Sequence, residues 1–84
     1  MFYHPMENKK IIVGGIYQHY KRLSLYQIVA LALHSETKEE MVVYQSIDKE
    51  TEYWVRPLAL FCENVIVDGI SQPRFRYIKM NISL

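Results

Sequence analysis

"LYQIVALALHSETKEEMVVYQS", residues 25–46, decides the fold of this chain. Its first nine residues are apolar except for Gln27, and so short an apolar run fits either a helix or a buried strand. Its last six, "MVVYQS", contain the β-branched and aromatic residues that favour strands. Because turn-forming residues bound both runs, we predict two antiparallel strands, at 25–33 and 41–46, joined by the polar loop "HSETKEE".

The rest of the sequence consists of similar short runs separated by turn signals. Gly14-Gly15 precedes the aromatic run "IYQHYK", and "RLS" at 22–24 is a short connection. Asp68-Gly69 is typical of a type I′ hairpin turn. We therefore predict an all-β fold, a small barrel of five to six short antiparallel strands.

Composition limits the classes of protein to which the chain can belong. Its 84 residues predict one domain, at residues 13–84, after a flexible lead-in at residues 1–12. A formal net charge of +1 provides no strong field for nucleic acid or an anionic membrane. Cys62 is the single cysteine, so no intramolecular disulfide forms. The first ten residues lack the apolar region of a signal peptide, and no run approaches the roughly 18 apolar residues of a membrane span, so we expect a cytoplasmic protein.

The hairpin connections also predict which side chains face each other. If residues 22–24 join the first two strands, Tyr20 lies opposite Tyr26, and if residues 34–40 join the next two, Ala32 lies opposite Val42. A slip of one residue would exchange the two faces of a strand. On this register one face forms the core, with Ile16, Tyr20, Tyr26, Ile28, Ala30, Ala32, Val42 and Tyr44.

The "HSET" segment has a catalytic interpretation and a structural one. His34 and Glu36 are residue types that serve as a general acid–base pair. The alternative is a turn whose Ser and Thr hydroxyls bond to the nearby backbone. Neighbouring strand residues point to opposite sides, so a relay through Ser35 is not preassembled. We favour the turn and predict no catalytic residue.

The motifs "WVRP" and "PRF" bring planar aromatic rings together with guanidinium groups. Such a set suits stacking, cation–π contacts, or recognition of a carboxylate or phosphate. We expect Trp54 and Phe75 in the core, and we leave open whether Arg56 binds a ligand or pairs with a neighbour such as Glu63.

Histidines offer little support for a metal site. His19 and His34 are far apart in the predicted register, and zinc needs three or four ligands at suitable spacing. We therefore predict neither a metal nor a cofactor.

The ordered set of motifs resembles a known family. "GIYQHYK" (15–21), "HSET" and "VVY" (34–44), "WVRP" (54–57) and "PRF" (73–75) are similar to those of small bacterial proteins catalogued as a domain of unknown function. The resemblance covers about residues 14–77 and implies an SH3-like barrel, but it implies no activity. Family members tend to have glycine after the lysine of "HYK", where this chain has Arg22 in a longer connection.

These observations predict a non-catalytic binding module with a polar and aromatic patch. Its ligand would be a small molecule (a metabolite), a peptide or, less favoured at this net charge, nucleic acid. One alternative is a small hydrolase-type enzyme using His34 and Glu36. Another is a homodimeric structural module, in which a second copy covers the apolar end of the outer face, formed by Val29, Leu31, Leu33, Met41 and Val43. The predicted ligand-binding residues are Tyr17, His19, His34, Glu36, Tyr44 and Arg56.

Overall fold

Seven strands and one single-turn helix form the part of the chain that the structure, a computed structural model, describes, residues 11–81. The all-β class is confirmed, with one or two strands more than expected. One reason is that the segment after Gly69 forms two strands, which are separated at Arg74. No helix within the described residues is long and apolar enough to cross a membrane. The elements are β1 (Gly15–His19), β2 (Leu25–Leu33), β3 (Glu40–Ser46), β4 (Tyr53–Pro57), α1 (Leu58–Phe61), β5 (Asn64–Val67), β6 (Ile70–Pro73) and β7 (Phe75–Met80).

The strands form two antiparallel sheets. Five of them lie in the order β4-β3-β2-β1-β7, and β5 and β6 form a separate hairpin. The hairpin turns at Asp68 and Gly69, whose φ angles of 54° and 78° are both positive. A type I′ turn requires this backbone at both central positions, so the predicted turn is confirmed.

The predicted register of β1 against β2 is wrong by an odd number of residues. Tyr17, not Tyr20, lies opposite Tyr26, because β1 ends at His19 and the connection spans residues 20–24. Leu23 in this connection has a φ of 62°, so the loop includes a left-handed residue. An odd shift exchanges the two faces of a strand, so Tyr17 and His19 are directed to the buried side.

A β-bulge in β2 overturns the second predicted register. Ile28 pairs with Tyr44, but the next pair along joins Ala30 to Val43, and Val29 has no partner. The extra residue brings Leu31, rather than Ala32, opposite Val42. Ala30 and Ala32 are therefore not core residues, and the solvent-exposed Leu31 lies on the inner side of the sheet.

Aromatic rings make up most of the core. Phe61 and Phe75 stack with centroids 4.1 Å apart, and Tyr17 and Tyr44 each pack edge-on against Phe61. The predicted core positions of Tyr26, Ile28, Val42, Tyr44 and Phe75 are confirmed. The cluster consists of Tyr17, Tyr26, Ile28, Val42, Tyr44, Leu58, Phe61 and Phe75.

Residues 11 and 12 contact the folded domain. Ile11 packs against the core, and the Ile12 amide donates a 3.2 Å hydrogen bond to the Tyr17 hydroxyl. The Gly15 amide in turn donates to the Ile12 carbonyl at 2.9 Å. Residues 1–10 of the predicted lead-in lie outside the described residues.

Candidate functional site

A pocket of about 310 Å³ opens on the inner side of β2, β3 and β4. Cross-strand pairing creates it, because Tyr44 lies opposite Trp54 and Val42 lies opposite Arg56. Since alternate strand residues share a face, Trp54 and Arg56 both point to this side. We call it the arginine–tyrosine pocket, and its lining residues are Arg22, Tyr26, Tyr44, Trp54 and Arg56.

Tyr26 forms the first hydrogen-bonded group of the pocket. Its hydroxyl accepts from Ser24 Oγ at 3.1 Å and, at a longer 3.5 Å, from Arg22 Nη2. Burial raises the pKa of Tyr26, but the hydrogen bonds from Ser24 and Arg22 and the positive charge of Arg22 outweigh burial and bring that pKa below its ordinary value. The loop before β2 thus places a cation on a core tyrosine.

Arg56 and Tyr44 form the second group. Arg56 Nε donates to the Tyr44 hydroxyl at 3.4 Å, and its guanidinium carbon lies 5.6 Å from the centroid of the Phe75 ring. A guanidinium at this distance is attracted to the ring face. These two contacts hold the side chain while the terminal nitrogens of Arg56 remain available for a ligand.

Neither pocket arginine has a carboxylate partner among the described residues. The ion pairs of residues 11–81 join Lys49 to Glu52 at 3.8 Å and Arg74 to Glu63 at 3.3 Å. Of the two roles left open for Arg56, the ion pair with Glu63 is therefore not formed, because Glu63 pairs with Arg74.

His19 lies behind the pocket and organises its loop. It is 4% exposed, and its Nδ1 accepts from the amides of Lys21 at 3.1 Å and Arg22 at 3.2 Å. A ring nitrogen that accepts is unprotonated, so His19 is neutral with its proton on Nε2.

Burial is the main cause that lowers the pKa of His19 to about 4. The charges of Arg22, Arg74, Arg56 and Lys21 lower it further. Four cations thus act on one histidine in a chain whose net charge is only +1.

The pocket presents hydrogen-bond donors. Guanidinium groups and the Trp54 indole can only donate. The Tyr26 and Tyr44 hydroxyls already accept from arginine, so their own protons are available for another acceptor. Such an arrangement is complementary to an oxyanion, which accepts at every oxygen.

The predicted binding residues do not form one patch. Tyr44 and Arg56 line the pocket, and His19 supports it from behind. Tyr17 is buried, and its hydroxyl accepts from the Ile12 amide. His34 and Glu36 lie beyond the other end of β2, a strand of nine residues that spans roughly 25 Å.

The "HSET" segment forms the predicted turn. His34 Nδ1 accepts from the amides of Glu36 at 3.1 Å and Thr37 at 3.3 Å. The Thr37 hydroxyl accepts from the Glu39 amide at 3.1 Å. The same arrangement occurs at His19, so the chain uses a histidine twice to accept the amides two and three residues later.

Sequence reasoning missed three pocket residues, Arg22, Tyr26 and Trp54. Trp54 was expected in the core but is 49% exposed. Its strand ends in Pro57 and lies at the sheet edge, where side chains are covered by a neighbouring strand on one side only. Arg22 was noted only as a departure from the family pattern.

A larger pocket, of about 470 Å³, lies on the opposite face of the sheet. Its amide side chains are already engaged, since Asn81 Nδ2 donates to Gln27 Oε1 at 2.8 Å and Gln45 Nε2 donates to the Glu50 carbonyl at 2.5 Å. It also contains both Lys79 and Glu50, so its charges are mixed. The arginine–tyrosine pocket is smaller, but the charged side chains that line it, Arg22 and Arg56, are both positive and have no carboxylate partner among residues 11–81.

Fold and pocket together define a small all-β domain with a donor-lined site. The chain belongs to the family described as "Protein of unknown function (DUF1653)", whose profile matches residues 15–77. The predicted membership of a domain-of-unknown-function family is thereby confirmed, and all five pocket residues lie within the matched range.

A solved structure has the same architecture. The crystal structure of a protein of this family from Bordetella bronchiseptica gives a TM-score of 0.71 at 29% sequence identity, covering 87% of this chain and 95% of that one. No protein of curated function matches this chain.

Proposed function

We propose that this domain is a non-catalytic binding module whose arginine–tyrosine pocket holds the anionic group of a small-molecule ligand. The observation that carries the proposal is the pair Arg22 and Arg56, two guanidinium groups beside donor hydroxyls with no carboxylate partner among residues 11–81. An anionic ligand would supply the acceptors that these groups lack.

The chemistry of the pocket supports binding rather than catalysis. A general base needs a free acceptor within reach of a substrate proton. His19 Nδ1 accepts from two loop amides, and the low pKa of His19 keeps it neutral at pH 7. The alternative acid–base pair, His34 and Glu36, lies far from the cations, and His34 Nδ1 is occupied by its own loop.

Two wider features belong to the proposal. A five-stranded sheet with a one-turn helix and a hairpin inserted between β4 and β7 is in keeping with an SH3-like barrel. A single cysteine in 84 residues is in keeping with a reducing compartment such as the cytoplasm.

The proposal is tested by measuring anion binding directly. Isothermal calorimetry and thermal shift would be run with phosphate, sulfate and acetate against chloride at equal ionic strength. We expect saturable binding that falls about tenfold or more in Arg56→Gln, because a charge-assisted hydrogen bond is lost.

Arg76→Gln is the matched control. Arg76 is an exposed arginine on β7 that does not line the pocket. Equal weakening in both variants would show a diffuse charge effect and overturn the proposed site, as would the absence of saturable binding by any of the three anions.

The homodimeric structural module is a second candidate, favoured by one observation. Tyr53, Trp54 and Val55 are consecutive on edge strand β4 and are 60%, 49% and 58% exposed. An apolar edge strand with unpaired backbone groups is a template for pairing with a second copy.

A further inference from the structure

We propose that the ligand of the arginine–tyrosine pocket is a phosphate monoester joined to a flat aromatic ring, of the mononucleotide class. Arg22 and Arg56 hold the phosphate, and the ring stacks on Trp54. This inference rests on the proposed function and names the ligand of that site.

Charge selects a phosphate monoester over a carboxylate. The pocket has two guanidinium groups, and no carboxylate lines it. A phosphate monoester carries about −1.5 to −2 at pH 7 and three acceptor oxygens. A carboxylate carries a single charge and would leave one of the two cations uncompensated.

The hydroxyls select the same group. Tyr26 and Tyr44 pack edge-on with ring centroids 5.3 Å apart, so both phenols belong to one wall of the pocket. Each hydroxyl accepts from its own arginine and has a proton to donate. Two guanidinium forks and two hydroxyls offer more donors than the two oxygens of a carboxylate can use well, and they suit three phosphate oxygens.

The position of Trp54 favours a ligand that has an aromatic ring in addition to the phosphate. Trp54 and Arg56 are alternate residues of β4, so their backbones are about 7 Å apart along the strand. A bare inorganic anion held by Arg56 cannot also cover the indole. A ring attached to the phosphate can, and base–indole stacking is tolerant of the base.

Pocket size and overall charge favour a monomeric ligand over a nucleic-acid strand. A volume of about 310 Å³ is at the small end of ligand pockets. A polymer is bound through many phosphates, and a net charge of +1 gives little support for that.

The single tryptophan of the sequence makes the test specific to the site. Intrinsic fluorescence and calorimetry would follow titration with adenosine 5′-monophosphate, ribose 5-phosphate, adenosine and benzoate at equal ionic strength. We expect the nucleotide to quench Trp54 and to bind about tenfold more tightly than ribose 5-phosphate, from one stacked base. Adenosine and benzoate should each bind more weakly than the nucleotide.

Variants separate the two halves of the ligand. Trp54→Leu, followed by calorimetry, should bind the nucleotide and ribose 5-phosphate equally. Arg56→Gln should weaken both by the same factor. Tyr53→Leu is the control, since Tyr53 is an exposed aromatic residue on the opposite face of the same strand. Circular dichroism would verify that each variant is folded.

Each contrary result has its own meaning. Equal affinity for ribose 5-phosphate and the nucleotide in the wild type would overturn the proposal that the ligand has an aromatic ring stacked on Trp54. The proposed anion site would stand. Tighter binding of benzoate than of the nucleotide would overturn the proposal that the anionic group is a phosphate monoester. The proposed anion site would again stand. Much tighter binding of a ten-nucleotide single strand, with a steep salt dependence, would replace the small ligand by a polymer. Absence of binding by every anion, inorganic phosphate included, would overturn the proposed function itself.

Discussion

Tyr44 lies directly opposite Trp54 across β3 and β4, yet Tyr44 is 5% exposed and Trp54 is 49% exposed. The two rings share one face of the sheet, and the core ends between them. The boundary between the core and the pocket therefore lies between two paired residues. The Tyr44 ring is the last part of the core, and the Trp54 indole lies at the rim of the pocket. Polar tips of core residues thus become the binding surface.

Phe75 and Phe61 provide the first prediction, because their rings stack on each other but the Arg56 guanidinium lies over the Phe75 ring. Phe75→Leu and Phe61→Leu should each reduce the free energy of unfolding by about 1 to 3 kcal/mol in urea denaturation. Only Phe75→Leu should weaken phosphate binding, severalfold, since Arg56 loses its cation–π partner. Equal affinities in the two variants would show that this contact does not order Arg56.

His19 provides a prediction about pH. Its folded pKa of about 4 is below the ordinary 6.5, so the unfolded chain binds more protons between these values. The His19 contribution is fully present above about pH 6.5 and is lost as the pH falls towards 4, by about 3 kcal/mol at most. Urea denaturation at several pH values measures this slope.

His19→Asn is the matched variant, because the Asn side-chain oxygen can accept loop amides without titrating in this range. Its stability should depend less on pH between 4 and 6.5 than that of the wild type. An unchanged slope would assign the pH dependence to other groups.

His34→Ala tests whether the second histidine turn contributes to binding. It removes the acceptor of the Glu36 and Thr37 amides at an exposed loop, so we expect a loss of about 1 kcal/mol in the free energy of unfolding. Phosphate affinity should stay within about twofold, because the loop is at the far end of β2. A tenfold loss of affinity would show that the loop containing His34 and Glu36 contributes to ligand binding.

Association through β4 is the fourth prediction. If a second copy pairs with this edge, sedimentation velocity at high micromolar concentration should show a dimer, and Val55→Lys should abolish it. Ile70→Lys is the control, since Ile70 is an equally exposed aliphatic residue on the separate hairpin. A monomer at all concentrations would contradict the dimeric module.

The sequence predicted the positions of the strands along the chain better than the register in which they pair. Residue types defined β2, β3 and the Asp68-Gly69 turn, because these depend on local propensity. The bulge at Val29 and the five-residue connection after His19 are set by packing, and no local pattern marks them. Arg56 and Tyr44 were identified by chemistry, whereas Trp54 was misplaced because apolarity alone does not reveal which strand is at the edge.

The unpaired Val29 has a consequence for how this chain can change length. Every β2 residue beyond it is out of phase with those before it, so deleting Val29 would remove the bulge and leave Ala30 opposite Val43 and Leu31 opposite Val42. Residues 20–24 are a connection, where an insertion adds chain without altering any strand pairing. The chain can therefore gain a residue beside the pocket or lose Val29 without a change of register, whereas loss of a paired β2 residue would move the following side chains to the other face.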